Sequence, residues 1–184
     1  MRGACRRSRP VAGVTLIELV VTLALSTIVL VAAWSWCWRV CAVQRHERAR
    51  AEALSTLAFA RRTIDREMRG AWGLSTDGVV PCDSASFALT LPVGSTTRTI
   101  GYAYDRRRGV LWRGAAASYV AEGVTAFAVE YLDGEGRPVL PPAGGVLDAR
   151  SAGRVVALHV RCSVDCAGVS VTDDWCVALR SRLP

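Results

Sequence analysis

The chain has 184 residues, 51% of them hydrophobic, and its 23 cationic side chains, all arginine, outnumber 16 acidic ones for a net charge of +7. This length accommodates one domain plus an anchor. Four of the positive charges precede residue 14, which leaves about +3 for the rest of the chain, so the net charge does not by itself indicate a nucleic-acid-binding protein.

A short basic segment precedes a long apolar one. The first thirteen residues carry no acid and four arginines, Arg2, Arg6, Arg7 and Arg9. Val14 to Trp38 then runs without proline or glycine, long enough for a tilted membrane helix and longer than the apolar core of a secretory signal. Three tryptophans end the run beside Arg39, as in an aromatic belt. We therefore expect one membrane-spanning helix.

One carboxylate, Glu18, interrupts the apolar run near its start. A charge buried in hydrocarbon costs several kcal/mol, so an intramembrane carboxylate indicates a function and requires a partner. A simple signal anchor explains the length, the tryptophans and the leader, but it does not explain Glu18.

The segment Gly13-Val14-Thr15-Leu16-Ile17-Glu18-Leu19, behind its basic leader, resembles the start of type IV pilins and of the pseudopilins of type II secretion. The resemblance implies that a prepilin peptidase cuts between Gly13 and Val14 on the cytoplasmic face and that Val14 is N-methylated. It implies that Glu18 pairs with the terminal amine of a neighbouring subunit during assembly. The family usually has phenylalanine or methionine at the position of Val14. The motif covers the first fifth of the chain.

Cleavage after Gly13 would leave a positively charged amine on Val14, which attracts the negative carboxylate of Glu18. Val14 and Glu18 are four residues apart and share a helix face, so they can pair within one subunit before assembly. A buried pair costs less than an unpaired charge, and pairing between subunits therefore favours association and helps to set the axial register.

The helix is predicted to continue from Ala42 to Arg69. Its apolar residues recur at helical spacing, and Gly70 and Gly73 end it. The predicted stripe comprises Leu54, Leu57, Ala58, Ile64 and Met68. The expected domains are a cytoplasmic leader (1–13), a membrane helix (14–38), the periplasmic half of the spine helix (39–70) and a periplasmic globular domain (71–184).

Short strands follow from Pro81 onward. Alternating patterns predict strands around Phe87–Leu91, Ile100–Tyr104, Val110–Trp112, Phe127–Tyr131, Val156–Val164 and Trp175–Leu179. Turn residues separate them at 105–109 and 133–136, and a proline- and glycine-rich loop covers 138–145. The predicted fold class is α+β, a long N-terminal helix packed on an antiparallel sheet. With the resemblance above, this is the pilin fold.

Four further stretches resemble PilW-like minor pilins and J-type minor pseudopilins. They match the end of the long helix, the first hairpin, the following strand and the C-terminus, at 63–71, 104–113, 120–133 and 177–184. The resemblance implies a minor subunit, and such subunits are thought to sit at the fibre tip and prime assembly.

Four cysteines lie in the expected extracytoplasmic domain, which favours disulfides with three alternative pairings. They are Cys82, Cys162, Cys166 and Cys176. Strand parity puts Cys162 on the core face and Cys176 on the opposite one, which favours Cys166 with Cys176 and leaves Cys82 with Cys162. Cys37 and Cys41 share a helix face as small apolar residues, with a cross-link between subunits as the alternative.

Other chemistries have weaker support. Arg106 to Arg108 suits a solvated turn better than a DNA contact, so nucleic acid stays the lesser alternative. No cysteine or histidine spacing fits zinc, and the acidic stretches at 133–136 and 173–174 lack an EF-hand pattern. Neither histidine belongs to a catalytic motif. We expect no enzyme activity, no metal and no cofactor.

The sequence therefore predicts a single-pass inner-membrane prepilin with its C-terminal domain in the periplasm. It matures into a minor pilin or pseudopilin that initiates or caps a pilus or pseudopilus. The expected partners are prepilin peptidase, other pilin-like subunits and an inner-membrane assembly platform. The alternatives are an adhesive or DNA-uptake tip subunit and a monomeric signal-anchored binding domain.

Overall fold

The computed structural model describes residues 15–76, 81–114, 118–142 and 145–179. The predicted cleavage position at Gly13 and Val14 and the leader charges Arg2, Arg6, Arg7 and Arg9 lie outside the described residues. The chain divides into two compact units, residues 1–45 and 46–184. Each unit is described by itself.

Helix α1 spans Leu16–Gly70. Thr15 caps its start, because the Thr15 carbonyl accepts from the Leu19 amide at 3.2 Å and its hydroxyl lies 3.4 Å from the Glu18 amide. Threonine followed three residues later by glutamate is the sequence pattern of a capping box. In the first unit, every side chain from Thr15 to Arg39 is exposed.

In the second unit, one stripe of α1 is buried at helical spacing. It comprises Ala49, Ala53, Leu57, Ala60, Ile64 and Met68. The predicted stripe was partly wrong, because Leu54 and Ala58 are exposed and two alanines, Ala53 and Ala60, take the core positions. Small side chains at these positions let the helix backbone approach the sheets closely.

A five-stranded antiparallel sheet follows the helix, with its strands in the order β1 to β5. Its strands are β1 (Gly73–Leu74), β2 (Ser86–Val93), β3 (Thr96–Asp105), β4 (Val110–Arg113) and β5 (Ser118–Glu122). The β3–β4 turn is where the sequence predicted it, because the Asp105 carbonyl accepts from the Gly109 amide at 2.9 Å.

A second antiparallel sheet has the order β6–β7–β8. Its strands are β6 (Val124–Leu132), β7 (Ala157–Cys166) and β8 (Val169–Ala178), and the short helix α2 (Ala149–Ala152) lies between β6 and β7 in sequence. Strand β8 is longer than predicted, since Val169 to Asp174 also pair with β7.

The sheets are separate because the chain turns between them at Gly123. The strand predicted around Phe127–Tyr131 lies within β6, but the stretch 120–133, which was likened to one strand of the resembled family, forms parts of two: β5 ends at Glu122 and β6 begins at Val124. Gly123 has a φ of +71°, and a Cβ there would lie 2.7 Å from the Asp165 carbonyl oxygen. Only glycine meets both conditions at low cost.

A shared core joins the helix to both sheets. Phe87 stacks on Tyr102 with ring centroids 4.9 Å apart, and Leu57, Leu158 and Val160 are all buried in the same cluster. The fold class is α+β, as predicted, with a long N-terminal helix packed against antiparallel sheets.

Candidate functional site

The first part of α1 has the length and composition of a membrane span. An 18-residue window of the helix has a mean hydropathy of 2.5 and no buried side chain. Leu16 to Trp38 measures roughly 34 Å at 1.5 Å per residue, close to the thickness of a bilayer's hydrocarbon core. An apolar surface of this extent is unfavourable in water, and lipid satisfies it.

Tryptophans mark the far end of this segment. The Trp34 and Trp38 rings meet edge to face with centroids 6.3 Å apart, and Trp36 is 70% exposed. Tryptophan rings favour the interface between lipid and water, where the indole N–H can meet a polar group. These residues therefore place one membrane boundary close to Arg39.

Glu18 lies in the first turn of α1. The positive end of the helix dipole favours a carboxylate at this position. The Thr22 hydroxyl donates to the Glu18 backbone carbonyl at 2.9 Å, not to its carboxylate. Among residues 15–76, 81–114, 118–142 and 145–179, no side chain pairs with this carboxylate.

A second carboxylate on the same helix, Glu67, has its partners within the second unit. It is 6% exposed and accepts a hydrogen bond from the Tyr102 hydroxyl at 2.6 Å. Arg113 donates to the other carboxylate oxygen through Nε at 2.8 Å and also through Nη2. These bonds hold the end of α1 to strands β3 and β4.

The hydrogen bonds to Glu67 also affect the pKa values of Tyr102 and Arg113. Burial, followed by the hydrogen bond to Glu67, raises the pKa of Tyr102. The hydrogen bond to Glu67 likewise raises the pKa of Arg113. The sequence analysis did not predict the contacts of Glu67 with Tyr102 and Arg113. The position of Glu67 next to the core residue Met68 was a signal, because a charged side chain beside the core usually needs a partner.

The solvent face of the three-stranded sheet carries a second polar cluster. His159 contacts Glu130 through Nδ1 at 3.1 Å and Asp174 through Nε2. Arg161 donates to Asp174 at 2.9 Å. The Arg161 hydrogen bond is the main reason that the pKa of Asp174 lies below its usual range. The cluster links three strands on a solvated surface, and both His159 nitrogens are occupied.

The cysteines do not match the predicted pairing. Cys82, Cys162, Cys166 and Cys176 are free thiols. Cys166 faces Val169 in the β7–β8 ladder whereas Cys176 faces His159, seven pairs away. That separation is roughly 23 Å along the strands, far beyond the Cα separation of a disulfide, so the predicted Cys166–Cys176 bridge is wrong.

The predicted faces of the strands are correct. Cys162 is buried with Val160 and Val164, and Cys176 is exposed opposite Trp175. Burial raises the pKa of Cys162 to about 12 and also raises that of Cys82. Buried thiols with raised pKa values react slowly in disulfide exchange.

The arginine turn and the acidic stretches have local explanations. The Asp105 carboxylate accepts from the Arg107 and Arg108 amides at 2.9 and 3.2 Å, which is turn chemistry. The Asp133 carboxylate likewise accepts from the Glu135 and Arg137 amides. Within the described part of the chain, no group of three or more histidine, cysteine, aspartate or glutamate side chains is placed to hold a metal ion.

Comparison with known protein families adds one finding. Residues 8–34 match the family model described as the prokaryotic N-terminal methylation motif. The match spans Gly13, Val14, Glu18 and most of the apolar segment. A search of curated proteins finds no match to the chain.

Proposed function

From the methylation motif and the apolar helix, which support a membrane-anchored, single-pass protein like the type IV pilins, we propose that this chain is a minor pilin or pseudopilin. Such a motif implies processing by prepilin peptidase and assembly with pilin subunits, a structural rather than a catalytic role. Cleavage between Gly13 and Val14 and methylation of Val14 produce the mature subunit. The globular unit then lies in the periplasm.

Glu18 is the observation that carries the proposal. It lies in the first turn of a helix whose neighbouring side chains in sequence are apolar, and it has no partner in the described chain. Cleavage at Gly13 creates an ammonium group at Val14. In an assembly of parallel helices, the ammonium of one subunit meets the Glu18 carboxylate of the next, and each neutralises the other's burial cost.

The proposal that this is a minor subunit, at the start or cap of a fibre, has weaker support than the proposal of a pilin-like protein. It rests on the resemblance of the stretches at 63–71, 104–113 and 120–133 to PilW-like pilins and J-type pseudopilins. The proposed neighbours are other pilin-like subunits and an inner-membrane assembly platform. An adhesive or DNA-uptake tip subunit is the alternative within the same machinery.

The first test is the mature N-terminus. We expect intact-mass measurement and N-terminal sequencing of the protein from its native membrane to show a chain that begins at methylated Val14. A chain that retains its leader, or one that begins at another residue, would contradict the proposal and support a plain signal anchor.

The second test separates assembly from anchoring. We expect Glu18→Ala to be processed and inserted normally, but to co-isolate with other pilin-like subunits about tenfold less than the wild type, because the neighbouring ammonium loses its partner. Glu47→Ala is the matched control, since Glu47 is an exposed carboxylate on the same helix beyond the apolar segment. Co-isolation of Glu18→Ala at the wild-type level would overturn the proposal.

A further inference from the structure

Strand β5 forms an open edge of the five-stranded sheet. It pairs with β4, and no other described strand lies beside it. About half of the backbone N–H and C=O groups of an edge strand point away from the sheet and can pair with an added strand. A short edge of this kind accepts an extended segment of about five residues.

The open edge borders a groove within the second unit. Its other wall is formed by Ser55, Thr56 and Phe59 of α1, and the cavity has a volume of about 360 Å³. Two aromatic rings, one from each wall, are largely exposed here: Phe59 at 60% and Tyr119 at 58%. Exposed aromatic side chains beside free backbone groups are typical of a peptide-binding surface.

The Tyr119 ring contacts a neighbouring side chain of the sheet. Tyr119 meets the Trp112 ring edge to face at 6.4 Å, which anchors its base on the sheet. Its neighbours Val120 and Ala121 are buried in the core. A fixed strand with a packed aromatic ring loses little conformational entropy when a ligand binds.

The negative charge at one end of the groove indicates which kind of ligand would fit. Glu122 lines the groove at this end, and two more acidic residues lie nearby. The Gly123 carbonyl accepts from the Asp165 amide at 2.8 Å, and the Glu52 carboxylate accepts from the Cys166 thiol at 3.2 Å, while the Asp165 carboxylate accepts from the Gly168 amide. No arginine in the described part of the chain pairs with any of them. This acidic end therefore complements positive charge, although the chain as a whole is basic.

We propose that the groove between β5 and α1 binds an extended segment of another protein that adds a strand to β5. The segment places apolar side chains against Phe59 and Tyr119 and a basic residue against the Glu122 end. The backbone of β5 provides affinity, and the aromatic and acidic groups provide the sequence preference. The inference goes beyond the proposed helix-mediated assembly and does not depend on it.

A defined peptide tests the inference with the full chain in detergent. The probe is a fluorescent peptide of alternating threonine and valine that ends in two arginines. One control peptide ends in two glutamates, and a second has proline in place of its central valine. We expect saturable binding of the basic probe and about tenfold weaker binding of both controls, because one reverses the charge and the other blocks strand pairing.

Variants of the protein locate the binding. Tyr119→Ser and Glu122→Arg should each weaken probe binding by about tenfold, since they remove an anchor or reverse the charge. Leu140→Ser, which alters a side chain 79% exposed outside the groove, should bind like the wild type. Hydrogen exchange should slow at the β5 amides on binding and stay unchanged in β2.

Several results would overturn the inference. These are failure of the basic probe to bind, equal binding of all three peptides, and wild-type binding by both groove variants. Self-association that depends on Tyr119 and that the probe does not displace would also overturn it, because the occupant would then be a second copy of this chain.

Discussion

Two carboxylates on one helix illustrate opposite ways of holding a charge in apolar surroundings. Glu67 is buried and has donors from Tyr102 and Arg113. Glu18 has no donor to its carboxylate within the described chain, in a segment that suits lipid. Both charges are costly to desolvate, but the donors to Glu67 come from within the second unit, whereas Glu18 has none in the described chain.

At the residue scale, we predict that Glu67→Ala destabilises the second unit by about 2–4 kcal/mol, because Arg113 and Tyr102 lose their acceptor. Arg113 can reach water, since a third of its side chain is exposed, which keeps the loss below that of a fully buried pair. The measurement is denaturant unfolding followed by near-ultraviolet circular dichroism in detergent.

Glu130→Ala is the control for this prediction. Glu130 also contacts a basic partner, His159, but its side chain is 66% exposed. An exposed pair contributes about 0–1 kcal/mol, so this variant should unfold close to the wild type. Similar losses in the two variants would show that Glu67 does not tie the helix to the sheet.

At the scale of elements, Gly123 decides that β5 and β6 belong to different sheets. Alternation predicted a strand only around Phe127–Tyr131 and did not show that a separate strand, β5, ends just before Gly123. The positive φ and the contact with Asp165 come from tertiary packing, which a local pattern does not contain. Local pattern also underpredicted β8. Its first half carries exposed polar residues such as Thr172 and Asp174, yet it pairs with β7 along its whole length.

We predict that Gly123→Ala costs about 2–4 kcal/mol of unfolding free energy, from backbone strain plus displacement of the Asp165 carbonyl. Gly136→Ala is a matched control, because Gly136 has a φ of +75° but no atom within 4 Å of an added Cβ. It should cost about 1 kcal/mol, from strain alone. Thermal and denaturant unfolding measure both variants, and equal losses would contradict the role of the close contact.

At the scale of the whole molecule, the core lies within one of the two units. Buried residues begin at Ala49, and every member of the hydrophobic cluster falls within residues 46–184. We predict that a chain beginning at His46 is water-soluble and unfolds at the same denaturant midpoint as the full protein in detergent, because no side chain described before His46 is buried.

A chain beginning at Phe59 provides the comparison for this truncation. It lacks Ala49, Ala53 and Leu57, three buried residues of the helical stripe. We expect it to be unfolded or strongly destabilised, since the lost apolar contacts leave a cavity along both sheets. If the chain beginning at His46 were also unfolded, the first unit would be required for the fold.

The sequence by itself determined the features that depend on local pattern. An uninterrupted apolar run and apolar residues at helical spacing predicted α1, and alternation identified most strands, because these signals repeat within a few residues. The Glu18 motif was also readable, since its residues are neighbours in the chain.

Only the tertiary structure decided which distant residues meet. Strand order and register bring Tyr102 and Arg113 to Glu67 and place Tyr119 across a groove from Phe59. They also keep Cys166 far from Cys176. A shift of one residue in a ladder exchanges the two faces of a strand, so these pairings are set by packing across the whole core rather than by any segment alone.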